Sequence, residues 1–340
     1  MSNYPVLNIK PMGFQWPVSN PFIFCAHHHD KYPRGNGEMG PDASLKGRNI
    51  GQDFDPSLDW RMYHGEKVPG FPVHPHRGFE TVTIVTQGMV DHSDSHAQAG
   101  RYGGGDVQWM TAGAGLQHSE MFPLLKTDDE NTLELFQVWL NLPASQKMAE
   151  PHFKMLWAEE IPLVKTIDSN NKSVEVTIIA GKYKDTEALA PAPDSWAAVP
   201  ENEVNIWIIR MEAEAEWTLP KAVGLVNRWL YFFSGETLKI ETFTLSSKHA
   251  AEVDAMIDVK LTAGDSGCQI VMLQGRPINE TVVQYGPFVM NTQNEIRQAF
   301  YDYQQTEFGG WPWARRDMVH PADKGRFARY RDGREEIRDK

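Results

Sequence analysis

Two short stretches of this 340-residue chain place potential metal ligands at alternate positions: His74 and His76 in HPHRGFE, and His118 and Glu120 in GLQHSE. Imidazole nitrogens and carboxylate oxygens are donors that divalent transition metals take from proteins. In an extended strand, residues two apart point to the same face with Cα atoms about 6.6 Å apart. Each pair can therefore chelate from a single strand. A lone HxH is weak evidence, and its plain alternative is two surface histidines beside a turn stiffened by Pro75. Two pairs of the same parity weigh more, because the run between them, GGGDVQWMTAGAG, has five glycines that permit tight turns and close backbone approach. The spacing predicts one divalent transition metal held by His74, His76, His118 and a carboxylate, Glu120 or Glu80, inside a small β-barrel. Iron(II) is the first choice, and zinc, manganese, cobalt, nickel and copper also suit the mixed donor set. Glu80 is the competing carboxylate. Glu120 shares a strand face with His118, whereas Glu80 lies beyond Arg77-Gly78, where it suits a hydrogen-bonding role behind a ligand.

The other histidines carry plainer readings. His27, His28 and His29 stand beside Asp30 and Lys31 and read as an exposed loop; His92 and His96 lie in the polar run DHSDSHAQAG and read as a hairpin tip. His64, His152, His249 and His320 are isolated and read as structural or solvated. The second half has no counterpart of the ligand set, so one metal per chain is expected. Phe79, Trp109 and Met110 flank the motifs, either as an apolar entrance or as barrel core.

The elements that must position these residues are mostly strands. Residues 79–90 (FETVTIVTQGMV) are rich in β-branched residues and break at Gln87-Gly88, and residues 229–240 (WLYFFSGETLKI) repeat the plan around Ser234-Gly235. Gly105-Asp106 and Gly264-Asp265 form a second corresponding pair. This weak internal duplication predicts two similar β-domains, 1–170 with the metal and 171–340 without it. Residues 183–200, rich in proline and alanine, read as a linker or surface loop. One helix is signalled: Thr292 and Glu295 form a capping-box pattern ahead of Ile296, Phe300 and Tyr303 at helical spacing. Residues 315–340 are dense in both charge signs and read as a solvated, loosely attached tail.

Composition narrows the function. A formal net charge of −12 opposes binding to phosphate backbones. The only cysteines, Cys25 and Cys268, lie far apart and form neither a disulfide framework nor a cysteine-metal motif. No secretory leader or membrane-spanning run is evident, so a cytoplasmic protein is expected.

The stretches HPHRGFETVT, GDVQWMTAGAGLQHSEMF and QYGPFVMNTQNEIRQAF resemble the pirin family of the cupin superfamily, over residues 21–309. The resemblance implies an all-β bicupin: two facing antiparallel β-barrels of jelly-roll type, with a few short helices and metal only in the N-terminal barrel. It implies His74, His76, His118 and Glu120 as ligands, favouring Glu120 over Glu80. Some pirins resemble quercetin 2,3-dioxygenases, which cleave a flavonol with release of carbon monoxide. That likeness implies a phenolic substrate, dioxygen, and Glu120 as the general base that takes the hydroxyl proton. A second reading is a non-enzymatic regulator whose iron redox state alters a surface for a protein partner. A third is a zinc sugar-phosphate isomerase, which needs a basic cluster near the ligands and finds only Arg77. The chain departs from the family in a polar segment containing NGEMGPDAS and in its charged tail, both of which could shape the site entrance.

Overall fold

The computed structural model describes residues 5–339. Strands dominate, and Gln293–Thr306 is the one α-helix among the described residues. The chain divides into two compact units: residues 5–26 with Val138–Asn141 and Glu159–Asn279, and His27–Gln137 with Leu142–Ala158 and residues 280–339. Each compact unit gathers segments from distant parts of the chain.

The first unit has a seven-stranded antiparallel sheet in the order Val6–Pro11, His249–Val253, Asn227–Gly235, Cys268–Gly275, Asn205–Met211, Ser173–Ala180, Leu163–Ile167. A four-stranded sheet runs Glu216–Leu219, Val259–Ala263, Thr237–Ile240, Phe243–Ser246. Val176, Ile178 and Ile209 from the larger sheet join Leu219, Leu238 and Leu261 from the smaller in one buried cluster, the core of two sheets packed face to face. Residues 183–200 belong to this unit: Lys182–Tyr183 and Thr186–Glu187 form a short hairpin whose Tyr183 joins the core, and irregular chain then leads to two short 3-10 turns, Trp196–Ala198 and Pro200–Asn202.

The second unit pairs a five-stranded sheet (His152–Leu156, Val107–Thr111, Phe79–Gln87, and residues 131–137 and 27–32 of the strands Asn131–Asn141 and Phe22–Tyr32) with a six-stranded one. The latter runs Glu335–Ile337, Phe327–Arg329, Ala99–Gly103, Met89–Asp94, Leu116–Met121, Gly70–His76. Val85, Leu135 and Phe153 from the first sheet and Val90, Tyr102 and Ala328 from the second form the shared core. The predicted break at Gly88 is the corner where the chain leaves one sheet for the other. Its φ of +79° and the Thr132 carbonyl 2.8 Å from where a Cβ would sit both call for glycine. The first unit turns the same corner at Gly235, between Asn227–Gly235 and Thr237–Ile240.

The helix is capped as predicted: the Thr292 hydroxyl accepts from the Glu295 backbone N–H, and the Glu295 carboxylate accepts from that of Thr292. Ile296 and Ala299 are buried with Phe288, Met290 and Phe308.

Three expectations are corrected. The tail is no loose appendage, since Phe327–Arg329 pairs with Ala99–Gly103 and Glu335–Ile337 extends the sheet further. Arg101 anchors it: fully buried, it forms a bidentate ion pair with Asp91 and donates to the carbonyls of His320 and Pro321. His27–His29 are not a loop but part of Phe22–Tyr32, with His28 buried and His27 3.2 Å from Glu134. His92 is no solvated hairpin tip, being fully buried in Met89–Asp94.

Candidate metal centre

Gly70–His76 and Leu116–Met121 are antiparallel neighbours, with His74 directly opposite His118 and Phe71 opposite Glu120. Three residue steps on one strand face two on the other, so the ladder bulges between Phe71 and His74. The bulge frees the Val73 N–H, which donates to the carbonyl of Arg316 at 2.9 Å. Residues directly opposite on antiparallel strands share a face, and the predicted parity does the rest. The rings of His74, His76 and His118 stand 4.5 to 5.0 Å apart between centroids. One ligand atom from each lies within 4.8 Å of the others, roughly twice a metal–nitrogen bond of about 2.1 Å. This is the only such trio among the described residues.

Each ring is held differently. His74 Nδ1 donates to the Pro72 carbonyl at 2.9 Å, which leaves Nε2 with its lone pair. His76 is hydrogen-bonded to the backbone of Pro287. His118 is fully buried with neither ring nitrogen in a hydrogen bond. A buried imidazole with both nitrogens unpaired is costly unless something else binds it. Burial pushes the His74 pKa down to about 4, and those of His76 and His118 well below the ordinary range, with the neighbouring rings adding to the shift. All three are thus held neutral, the form that ligates metals. Donor type, spacing and the unpaired His118 nitrogens all fit a divalent ion.

Glu120 lies beside this trio rather than within it. Its Oε2 is 3.8 Å from His118 Nε2 and accepts from Gln137 at 2.8 Å, while Oε1 accepts from Thr83 at 3.2 Å. Burial raises its pKa, against the opposing effects of His92, Gln137 and Thr83. Glu80 goes elsewhere, accepting from Trp109 Nε1 at 3.1 Å and Thr111 at 2.7 Å. Phe79, Trp109 and Met110 are fully buried core, and Phe79 also packs edge-on against His76. Arg77 is committed to the Ala114 carbonyl and to Asp302, both at 2.7 Å, and lies over the Phe308 ring.

Sequence reasoning missed the third strand of the site. Met89–Asp94 pairs with Leu116–Met121 so that His92 faces Glu120 and Asp94 faces His118. The His92 ring is 5.4 Å from His118, and its Nε2 is 3.3 Å from Asp94. The alternation of His92 and Asp94 within DHSD is the same two-residue signal that marked the other pairs. Beyond the trio a cavity of about 390 Å³ opens, lined by His64, Phe71, Pro72, Val73 and His74.

Two family models match this chain: Pirin over residues 18–140, and the Pirin C-terminal cupin domain over residues 206–309. A pirin-like protein of Solanum lycopersicum is 34% identical over 270 residues, 77% of this chain and 86% of its own length. The chain belongs to the pirin family. Human pirin is 33% identical over 276 residues, covering 77% of this chain and 87% of that protein. A crystal structure of quercetin 2,3-dioxygenase from Acinetobacter baumannii aligns with 90% of this chain and 98% of its own, at a TM-score of 0.70 and 26% identity. The fold is accordingly the bicupin of pirins. The Pirin segment contains the trio, Glu120 and His92, whereas the tail strands from Phe327 onward lie past both matched segments.

Proposed function

We propose that His74, His76 and His118, completed by Glu120, hold one divalent transition metal, iron(II) foremost. On this reading the chain is a dioxygenase for a flavonol-like phenolic, similar in activity to quercetin 2,3-dioxygenase. The observation that carries it is the neutral imidazole trio, with His76 and His118 buried, His118 unpaired at both nitrogens, and a half-buried His74 on the wall of a cavity. Likeness to the Acinetobacter enzyme supports the choice of phenolic and dioxygen. The engagement of Arg77 by Asp302 weighs against a sugar-phosphate isomerase.

A bound divalent ion would supply Lewis acidity and, if redox-active, a partner for dioxygen. The chain supplies the rest. Glu120, its pKa raised by burial, is suited to take the phenol proton at a carboxylate oxygen. Thr83 and Gln137 aim that carboxylate, and the Pro72 carbonyl fixes the His74 ring. Phe71 and Val73 keep the approach to His74 apolar.

The test loads metal-free protein anaerobically with iron(II), adds quercetin, then admits oxygen. The expected result is about one metal per chain and oxygen-dependent carbon monoxide, with both lost in His118→Ala. Absence of carbon monoxide across iron, manganese, cobalt, nickel, copper and zinc rejects the activity. Full metal occupancy in His118→Ala rejects the site.

A further inference from the structure

The cavity that reaches His74 has one other polar side chain on its wall, His64. Its Nδ1 lies 2.8 Å from the Gly51 carbonyl. A carbonyl only accepts, so Nδ1 carries the proton, and in the neutral ring Nε2 presents a lone pair. No described residue hydrogen-bonds to that nitrogen. Phe54 and Phe71 meet the ring edge-on at 4.9 and 5.6 Å, so its plane is fixed from two sides. The result is an oriented acceptor in a mainly apolar cavity of about 390 Å³, the size of a small-molecule pocket.

We infer that His64 is a specificity-determining residue: its Nε2 accepts a hydrogen bond from a hydroxyl on a flat aromatic ligand whose opposite end reaches the imidazole trio. The inference rests on the phenolic reading above and refines it. The ligand carries a second hydroxyl donor, remote from the end at His74. A ligand that offers only acceptors at that position leaves the Nε2 lone pair unmatched and binds less well.

Two substitutions separate this role from simple anchoring of the Gly51 loop. His64→Asn keeps a donor near the Nδ1 position, for Gly51, and removes the acceptor. His64→Gln places an amide oxygen near the Nε2 position and gives up the Gly51 contact. Zinc-loaded protein is titrated with quercetin and with 3-hydroxyflavone, which keeps the 3-hydroxyl and 4-carbonyl but lacks the other hydroxyls. The wild type is expected to prefer quercetin by roughly three- to tenfold, the worth of one neutral hydrogen bond. His64→Asn should bring the ratio near one, and His64→Gln should keep it. An unchanged ratio in His64→Asn, or loss of the ratio only in His64→Gln, overturns the inference while leaving the flavonol reading intact. Failure of the wild type to bind either flavonol overturns both.

Discussion

His118 is where the chemistry of single residues is most exposed. Its ring is fully buried, and neither nitrogen has a hydrogen-bond partner. Replacing it with leucine removes two unsatisfied polar atoms at similar volume, and each such atom costs about 1 to 3 kcal/mol when left unpaired. His118→Leu should therefore raise the melting temperature of the metal-free protein while its metal content falls to near zero, read by calorimetry and metal analysis on the same samples. A lower melting temperature would show that His118 is satisfied in some other way. The convergence of His74, His76 and His118 was legible in the sequence because side-chain parity survives folding wherever a strand is regular. His92 escaped because a polar run looks solvated by composition, although its spacing from Asp94 carries the same alternation. His64 escaped because it lies outside any pair: the approach of the loop at Gly51 and of Phe54 gives it a role, and no local pattern encodes that approach.

At the scale of elements, the C-terminal segment does most to shape the second unit. It supplies the two strands at one end of the six-stranded sheet, Phe327–Arg329 on Ala99–Gly103 with Glu335–Ile337 beyond, and its Arg316 carbonyl meets the bulged strand Gly70–His76 at the other end. Arg101 is the pin of this arrangement. Arg101→Ala leaves the buried Asp91 carboxylate without its counter-ion and should cost about 3 to 5 kcal/mol in urea unfolding. The double variant Arg101→Met, Asp91→Leu should recover much of that loss, because an apolar pair replaces a buried ion pair at little cost. Equal destabilisation by single and double variants would refute this account. Charge content does not report how residues 315–339 attach: through backbone ladder bonds, through carbonyls that accept from Arg101, and through specific pairs such as Arg326 with the buried Asp106. The helix at Gln293–Thr306 was legible because its capping box and apolar face are both local.

For the whole molecule, the buried histidines set the response to acid. Burial holds the pKa of His74 at about 4 and that of His28 at about 3, against an ordinary value of 6.5. The unfolded chain binds more protons than the folded one in the window below 6.5, so the stability from these two groups is complete above pH 6.5 and is lost as pH falls towards 4 and 3. Glu120, raised by burial, acts with the opposite sign: its contribution is full below 4.5 and declines as pH climbs through its folded value. The melting temperature of the metal-free protein should fall between pH 7 and pH 4, with net proton uptake on unfolding at pH 5. Added divalent metal should raise the melting temperature at pH 7 and raise it less as pH falls towards 4, where the His74 imidazole it needs becomes protonated. A flat profile would mean that the rings keep their ordinary affinity for protons. The Val73–Arg316 hydrogen bond has a further consequence, in time rather than in space. On a ribosome, His74 and His76 emerge long before Arg316 exists, on a strand whose outer edge has nothing to cover it. A metal captured during synthesis would meet two histidines on an open edge, and one captured later would meet the same pair on an edge covered at Val73 by Arg316.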